Sequence, residues 1–268
     1  MMVRSAMTLV SEVHFIDTPA GQLYARAWDA PRLAMRAPIL LIHDSLGCVE
    51  LWRDFPARLR DATQRTVIAY DRLGFGRSSS RTDSLRPSFV REEAEIYIPC
   101  LLRHFGIDRF VPFGHSVGGG MAVCCGAVFG DTCAAIVTES AQMFAEDKTL
   151  QAIAAARIDY ENAEQFARLS RYHGDKARWV LRAWTDTWLS PEFRSWSVTQ
   201  ELAQLRSALL AIHGDLDEFG SVEHLATARN VSTGPVTARL LTNRGHVPHK
   251  ENPEQMLELV ADFLKAVA

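Results

Sequence analysis

The sequence predicts an α/β fold: a mostly parallel, doubly wound sheet with a helical segment inserted before its last two strands. Three observations carry this. Short apolar strand patterns alternate with helical patterns from about residue 37 to 140, and again from about 204 to the end. The stretch between them reads as helical and rich in aromatic residues, with no strand signal. The polar residues best suited to chemistry stand directly after strand patterns, where open α/β sheets carry their ligand-binding groups. The expected organisation is a core of residues 1–139 and 204–268 and a helical cap at 140–203. Right-handed crossovers are expected between the parallel strands.

The chain opens as a hairpin: Val13 to Ile16, a turn at Pro19-Ala20-Gly21, then Leu23 to Trp28 with alternating character. Pro38 to His43 is a short apolar run bounded by turn residues, as a strand covered on both faces should be. Val49 to Leu59 is amphipathic and Thr66 to Tyr70 is β-branched. Arg91 to Phe105 has apolar residues at helical spacing, with Pro99 expected to kink or start the helix. Phe110–Phe113 reads as a strand, Met121–Val128 as a helix and Ala134–Val137 as a strand. After the insertion come strands at Ala208–His213 and Val236–Leu241, a helix near Val222–Arg229 and a last helix at Pro253–Val267.

Composition excludes several classes. The 268 residues are 47% hydrophobic and 23% charged, so the chain is neither disordered nor fibrous. A chain this long buries about three-quarters of its unfolded surface and needs no disulfide or metal staple. Basic and acidic residues nearly balance, with a net charge of −3, which leaves no electrostatic footprint for nucleic acid or anionic membrane. Cys48, Cys100, Cys124, Cys125 and Cys133 are odd in number and scattered, fitting neither a disulfide framework nor paired zinc knuckles. Met1–Leu9 lacks the apolar run of a signal peptide, and no stretch approaches the ~20 apolar residues of a membrane span. A cytoplasmic protein with reduced thiols is expected.

Gly114-His-Ser116-Val-Gly118 is the strongest local signal, a G-x-S-x-G run that follows a strand and opens a helix. Such a sharp turn strains the serine backbone and favours residues without a Cβ two positions to either side. The helix N-terminus behind Ser116 offers backbone N–H groups and a positive dipole end to a developing oxyanion. The bland alternative is a glycine-rich turn whose serine only caps the helix.

A serine hydroxyl is a weak nucleophile and needs a histidine base oriented by a carboxylate. The acid is expected after the strand Ala208–His213, in Gly214-Asp-Leu-Asp217, and the base after Val236–Leu241, in Gly245-His246. Asp215 and Asp217 compete for the acid role, with Glu218 third, and Asp217 is preferred because it sits farther into the loop. Spacing favours His246 over His249; the bland alternative makes either one a surface loop histidine. His43, His115 and His213 stand at strand ends and are expected to satisfy local hydrogen bonds. The expected oxyanion donors are the backbone N–H groups of Ser45 and Val117. Asp44 opposes that role unless its carboxylate turns away or is bonded elsewhere. Asp71, before the glycine loop Gly74-Phe-Gly76, is expected to be structural.

With these segments in order, the chain resembles the α/β-hydrolase fold superfamily over nearly all its length. The resemblance rests on His43-Asp-Ser-Leu-Gly47, Asp71-Arg-Leu-Gly-Phe-Gly76, Gly114-His-Ser-Val-Gly118, His213-Gly-Asp-Leu-Asp217 and Gly245-His246. It implies that the last residue of His-Gly-x-x-Asp is the acid, which supports Asp217. Serine at the nucleophile position points away from haloalkane dehalogenases and epoxide hydrolases, which use Asp there. Asp44 departs from the glycine of many members, and the Ser-Leu-Gly run after it is similar to that of 3-oxoadipate enol-lactonases.

The insertion holds Trp179, Trp184, Trp188 and Trp196, together with Met143, Phe144, Tyr160, Phe166, Tyr172 and Phe193. Some of these are expected to roof an apolar pocket over Ser116 and others to form the core that small helices need. Arg157, Arg171, Arg178 and Arg182 offer partners for a substrate carboxylate or merely solvated faces. The expected function is a serine hydrolase acting on an ester, lactone or thioester of a small apolar compound through Ser116, His246 and Asp217. The alternatives are a carbon–carbon bond hydrolase using the same residues, or a hydrolase-like ligand sensor. A small-molecule substrate is expected and no metal or organic cofactor is implied.

Overall fold

The computed structural model describes residues 11–29 and 36–267; the reading of Met1–Leu9 falls outside them. An antiparallel hairpin, β1 (Glu12–Thr18) and β2 (Gly21–Trp28), turns at Pro19 and Ala20. It leads into β3 (Ile39–Ile42), α1 (Phe55–Thr63) and β4 (Val67–Tyr70). Val49–Leu59 is not one helix. A single 3-10 turn, Val49–Trp52, ends at Arg53, whose left-handed backbone (φ 56) breaks the run. α1 then starts anew with Pro56 in its first turn, where a missing N–H costs nothing.

The Arg91–Phe105 segment is also composite. α2 (Phe89–Glu92) runs through one π turn, Glu93–Tyr97, into α3 (Ile98–Phe105). Pro99 lies in the first turn of α3, and the wider turn before it lets the Ile98 N–H reach back to Glu93 O. β5 (Val111–His115) feeds α4 (Val117–Phe129), which begins four residues earlier than its apolar pattern suggests, and β6 (Ile136–Glu139) follows.

Between β6 and β7 (Leu209–Gly214) the chain runs through α5 (Asp147–Asp159), α6 (Ala163–His173), α7 (Ala177–Trp188) and α8 (Thr199–Leu202). One isolated antiparallel bridge, Phe144 to Ser197, ties the two ends of this insertion together. α9 (Glu223–Val231), β8 (Val236–Leu241), α10 (Pro248–Glu251) and α11 (Pro253–Val267) complete the chain.

The eight strands form one sheet in the order β1-β2-β4-β3-β5-β6-β7-β8. The pairs β1–β2 and β2–β4 are antiparallel and the rest are parallel. Side chains alternate between two apolar layers. Leu40 and Ile42 face Met121 and Val117 of α4, whereas Ile39 and Leu41 share a cluster with Phe55 of α1 and Phe263 of α11. Burial on both faces explains why these strands read as unbroken apolar runs. The five cysteines are free and buried, and all but Cys48 lie in the layer of α4. Among the described residues no helix is long and apolar enough to cross a membrane.

Asp71, at the end of β4, is structural. One carboxylate oxygen accepts the Val49 N–H and the other the Arg77 N–H, both at 2.6 Å, so it pins the turn after β3 to the glycine loop. Removing a buried acceptor leaves its donors unsatisfied. We expect Asp71→Ala to lower the unfolding free energy by about 2 kcal/mol in urea titration; an unchanged midpoint would contradict the role.

Candidate active site

β5 ends at His115 and α4 begins at Val117, leaving Ser116 alone in the turn with φ 57 and ψ −126. A non-glycine residue there carries about 1–3 kcal/mol of strain. A Cβ on Gly114 would collide with the Gly118 carbonyl, and one on Gly118 with the Ile42 carbonyl. Both glycines are therefore demanded by space as the sheet passes under the helix. The turn is held by Ser116 N–H to Glu139 O at 2.9 Å and Gly119 N–H to Ser116 O at 2.8 Å.

Ser116 Oγ lies 3.0 Å from His246 Nε2, and His246 Nδ1 lies 2.9 Å from each carboxylate oxygen of Asp217. All three residues are buried. The carboxylate fixes the ring proton on Nδ1 and turns the Nε2 lone pair to the hydroxyl. Asp217 Oδ1 also accepts the Phe219 and Gly220 N–H groups at 2.8 and 3.0 Å. Burial by itself would raise the Asp217 pKa, but the hydrogen bond and charge of His246, with His213 and the Phe219 N–H, hold it below the ordinary value. Asp215 and Glu218 are exposed, and among the described residues the Asp215 carboxylate accepts only the Arg244 N–H, at 3.4 Å. Glu251 of α10 braces the histidine loop by accepting the Gly245 and Val247 N–H groups at 2.8 and 3.1 Å.

The turn after β3 is held by its carbonyls. His43 accepts the Arg72 N–H on Nε2 at 3.0 Å and so donates from Nδ1 to Asp44 O at 2.7 Å. The buried Arg72 guanidinium donates to the same carbonyl at 2.8 Å. His173, from the end of α6, accepts the Gly76 N–H on Nδ1 and donates from Nε2 to Leu46 O at 3.0 Å. The Ser45 N–H of this turn is left over. Among the described residues, neither the Ser45 N–H nor the Val117 N–H has an acceptor, and Ser45 shares a cavity wall with Ser116.

Asp44 is bonded elsewhere. Oδ1 accepts the Leu46 N–H at 2.8 Å, and Oδ2 lies 3.3 Å from His115 Nδ1. His115 Nε2 donates to His246 O at 2.8 Å, so a proton on Nδ1 as well makes His115 an imidazolium facing the carboxylate. Burial alone would lower the His115 pKa, but the Asp44 hydrogen bond, Glu139 and the His246 carbonyl raise it above 6.5. Burial would raise the Asp44 pKa, and His115 brings it far below 3.8. His249, expected on the surface if not the base, is buried, with Nδ1 2.8 Å from Glu139. His213 lies 3.3 Å from both Gly220 O and Asp217.

A cavity of about 260 Å³ lies above Ser116 and His246, walled by Leu46, Ile153, Trp184, Trp188 and Phe219. The aromatic residues of the insertion divide between roof and core. Trp184 and Trp188 face the cavity; Trp179 packs on Gly74 and donates to Asp83 O at 2.9 Å, and Trp196 stacks on Phe193. Gln142, not anticipated, lines the cavity with its amide 3.2 Å from Ser116 Oγ. It stands just past the carboxyl end of β6, a position that marks ligand-facing residues. Lys148, also missed, donates to Asp217 O at 2.6 Å and Gly220 O at 3.1 Å. No local pattern distinguishes it from any helix-surface lysine.

A family model described as the alpha/beta hydrolase family matches residues 39–259. A bovine (Bos taurus) (lyso)-N-acylphosphatidylethanolamine lipase is 36% identical over 93 residues, which are 35% of this chain and 27% of that protein. A proline iminopeptidase of Lactobacillus delbrueckii is 28% identical over 88 residues, 33% of this chain and 30% of that one. The aligned stretches thus span under a third of these relatives' lengths. The solved structure of a membrane phospholipase A, described as a bacterial virulence factor, superposes with a TM-score of 0.75 at 20% identity. That match covers 96% of this chain and 86% of the other, and at such identity it speaks for the fold alone.

The Asp44–His115 pair sets a pH dependence of stability. The folded His115 holds a proton that the unfolded chain releases above about 6.5, so its contribution is complete below that pH and lost as pH rises through the raised value. Asp44 contributes above 3.8 and loses its effect as pH falls through its depressed value. In Asp44→Asn the amide donates to a neutral His115. We therefore expect denaturation at pH 6 and pH 9 to show a smaller loss of stability in the variant than in the wild type. An equal loss would contradict the pairing.

Proposed function

Because the chain belongs to the alpha/beta hydrolase family, we propose that it is a serine hydrolase that cleaves an ester, lactone or thioester of a small, mostly apolar compound. One observation carries the reading: the hydrogen-bonded line Ser116–His246–Asp217 lies under an apolar cavity, with two unpartnered backbone N–H groups beside the hydroxyl. Ser116 Oγ attacks the carbonyl carbon as His246 Nε2 takes its proton. Asp217 holds the ring tautomer and stabilises the imidazolium that forms. The negative charge that develops on the carbonyl oxygen is received by the Ser45 and Val117 N–H groups, which need no reorganisation to meet it. His246 then protonates the leaving group. Water deprotonated by the same ring releases the acyl group from Ser116.

Gln142 bears on the starting state. The Ser116 proton is shared between Gln142 Oε1 and His246 Nε2, whereas the amide turned over would donate to Oγ and direct the proton to the histidine. The cavity's apolar walls favour an apolar acyl or alcohol group, and Leu46, next to Ser45, places one wall against the reacting carbonyl. The lipase and iminopeptidase names among the relatives fit acyl transfer to water in general. An ester is favoured over an amide because the cavity presents no acidic pair for an amine end, and Asp44 is already engaged by His115 and Leu46.

A chromogenic ester series with intact-mass detection tests the reading. We expect turnover and an acyl adduct in the wild type, and loss of both in Ser116→Ala. His246→Ala should lose turnover, and Asp217→Asn should lower kcat by about 10³–10⁴ through the wrong tautomer. Asp215→Asn should stay within twofold of wild type. Full turnover in Asp217→Asn, or an adduct in Ser116→Ala, would overturn the assignment. Product analysis on a diketone separates carbon–carbon cleavage by the same residues from ester hydrolysis. Binding with no more than about one turnover would point to ligand sensing instead.

A further inference from the structure

Two concave spaces meet at Tyr160. The inner one is the cavity over Ser116; the outer is a groove of about 640 Å³ on the insertion, lined by Tyr160, Glu161, Phe166, Ser170, Arg171 and Arg178. Tyr160 follows α5 directly and its ring borders both spaces. Its hydroxyl has no hydrogen-bond partner among the described residues, so nothing but packing resists a swing of the ring. A substrate too long for the inner cavity has this as its continuation.

The charges of the insertion then divide in an informative way. Arg157 and Arg182 both lie against Asp186, at 3.6 and 3.0 Å, and Arg168 pairs with Glu164 at 2.7 Å. Arg171 and Arg178 have no carboxylate within ion-pair distance among the described residues, and both line the outer groove. They come from different helices, α6 and α7, which converge on it. The Arg178 guanidinium lies over the Phe166 ring, 4.5 Å from its centre. Stacking orients the planar group and leaves its N–H edge free for a bidentate acceptor. Glu161, the one acidic residue of the lining, makes no ion pair among the described residues, and against Arg171 and Arg178 it leaves the groove with a net positive charge. An apolar cavity that opens past one aromatic ring onto two unpaired arginines suits a molecule with an apolar body and a charged far end.

We propose that the outer groove binds the anionic end, a carboxylate or phosphate, of a substrate whose ester is held at Ser116, and that Arg171 and Arg178 select that end. The inference rests on the ester-hydrolase reading for its substrate and adds the class of molecule. Ser170 and the Phe166 ring supply the hydroxyl and apolar wall of the subsite, and Tyr160 is the point where the chain of the substrate must pass.

The test compares 4-nitrophenyl monoesters of adipate, suberate and azelate with the same compounds methylated at the far carboxylate, and with an ω-phosphate analogue. The wild type should favour the anionic compound of a pair by about tenfold in kcat/KM, and the preference should grow with chain length until the far end passes Tyr160. Charge-assisted hydrogen bonds to two arginines are of a strength to produce this. In Arg171→Gln/Arg178→Gln the anionic-to-methylated ratio should fall to near one. Arg178→Glu should push the ratio below one, and both positions are exposed, so the variants should fold.

A ratio near one in the wild type at every length, or a preference that survives the double variant, would overturn the subsite. A preference for the phosphate over the carboxylate, or the reverse, supports it and tells which anion is bound. If no ester of either kind turns over, the hydrolase reading fails by itself. Calorimetry of suberate and of ω-phosphate with the Ser116→Ala protein still decides the subsite: binding that weakens about tenfold in the double arginine variant sustains it, and no binding rejects it.

Discussion

The site depends on one backbone conformation. Ser116 must turn sharply between strand and helix, and at φ 57 it takes up a region that L residues avoid. Nothing local favours this. The turn persists because its surroundings leave no alternative: Ser116 N–H is tied to Glu139 O on the neighbouring strand, and Gly119 N–H closes back on the Ser116 carbonyl. Gly114 and Gly118 let the helix approach β3 and β5 closely enough for backbone to meet backbone. The reward is directional. The same turn that lifts Oγ out of the sheet leaves the Val117 N–H beside it without an acceptor among the described residues, so the hydroxyl and the free N–H are one structural feature.

The insertion does more than roof the cavity, because its helix ends are attached to the loops that carry Asp217 and Ser45. Ahead of α5, Glu146 accepts the Ser221 N–H at 2.7 Å and its hydroxyl proton at 2.8 Å. Thr149 donates to Phe219 O and Lys148 to Asp217 O, so three residues within one turn grip the loop of the acid. At the other end, His173 holds Leu46 and Gly76, and Lys176 donates to Phe75 O at 3.1 Å and to Ser78 O. A displacement of these helices would therefore move the acid loop and the turn that bears Ser45 together.

Much of this was readable in the sequence because it follows from two periodicities and a few hard steric rules. Strands buried on both faces read as unbroken apolar runs, and the motif around Ser116 needs its glycines for space. Ser116, Asp217 and His246 follow β5, β7 and β8, which stand in chain order across one half of the sheet. What escaped was set by tertiary contact. The break at Arg53 and the π turn before Pro99 depend on what the helices pack against. Trp184 cannot be told from Trp179 by spacing, since both lie on α7 and only the neighbouring loops decide which faces the cavity. Lys148 and Gln142 carry no local signature, and the burial of His249 depends on a glutamate 110 residues away.

Asp44 shows how such a sequence departs from pattern without breaking the site. A carboxylate beside a group that must gather negative charge would raise the barrier if it stood alone, since like charges a few ångströms apart in a half-buried cavity repel by several kcal/mol. It does not stand alone. His115, the residue before Ser116, lies 3.3 Å from one of its oxygens with a pKa that this contact helps to raise against burial, and the Leu46 N–H takes the other oxygen. A compensated pair presents a dipole rather than a net charge, and the field of a dipole falls off faster with distance. The other ring nitrogen of His115 donates to the His246 carbonyl at 2.8 Å, which anchors the pair to the loop of His246. The pair thus ties three loops, those of Ser45, Ser116 and His246, at a point where any one of them alone would leave a buried charge unpaired. Replacing Asp44 by glycine would remove the carboxylate, but it would also take away the partner of His115 and loosen that junction, so the acid and the histidine make sense only together.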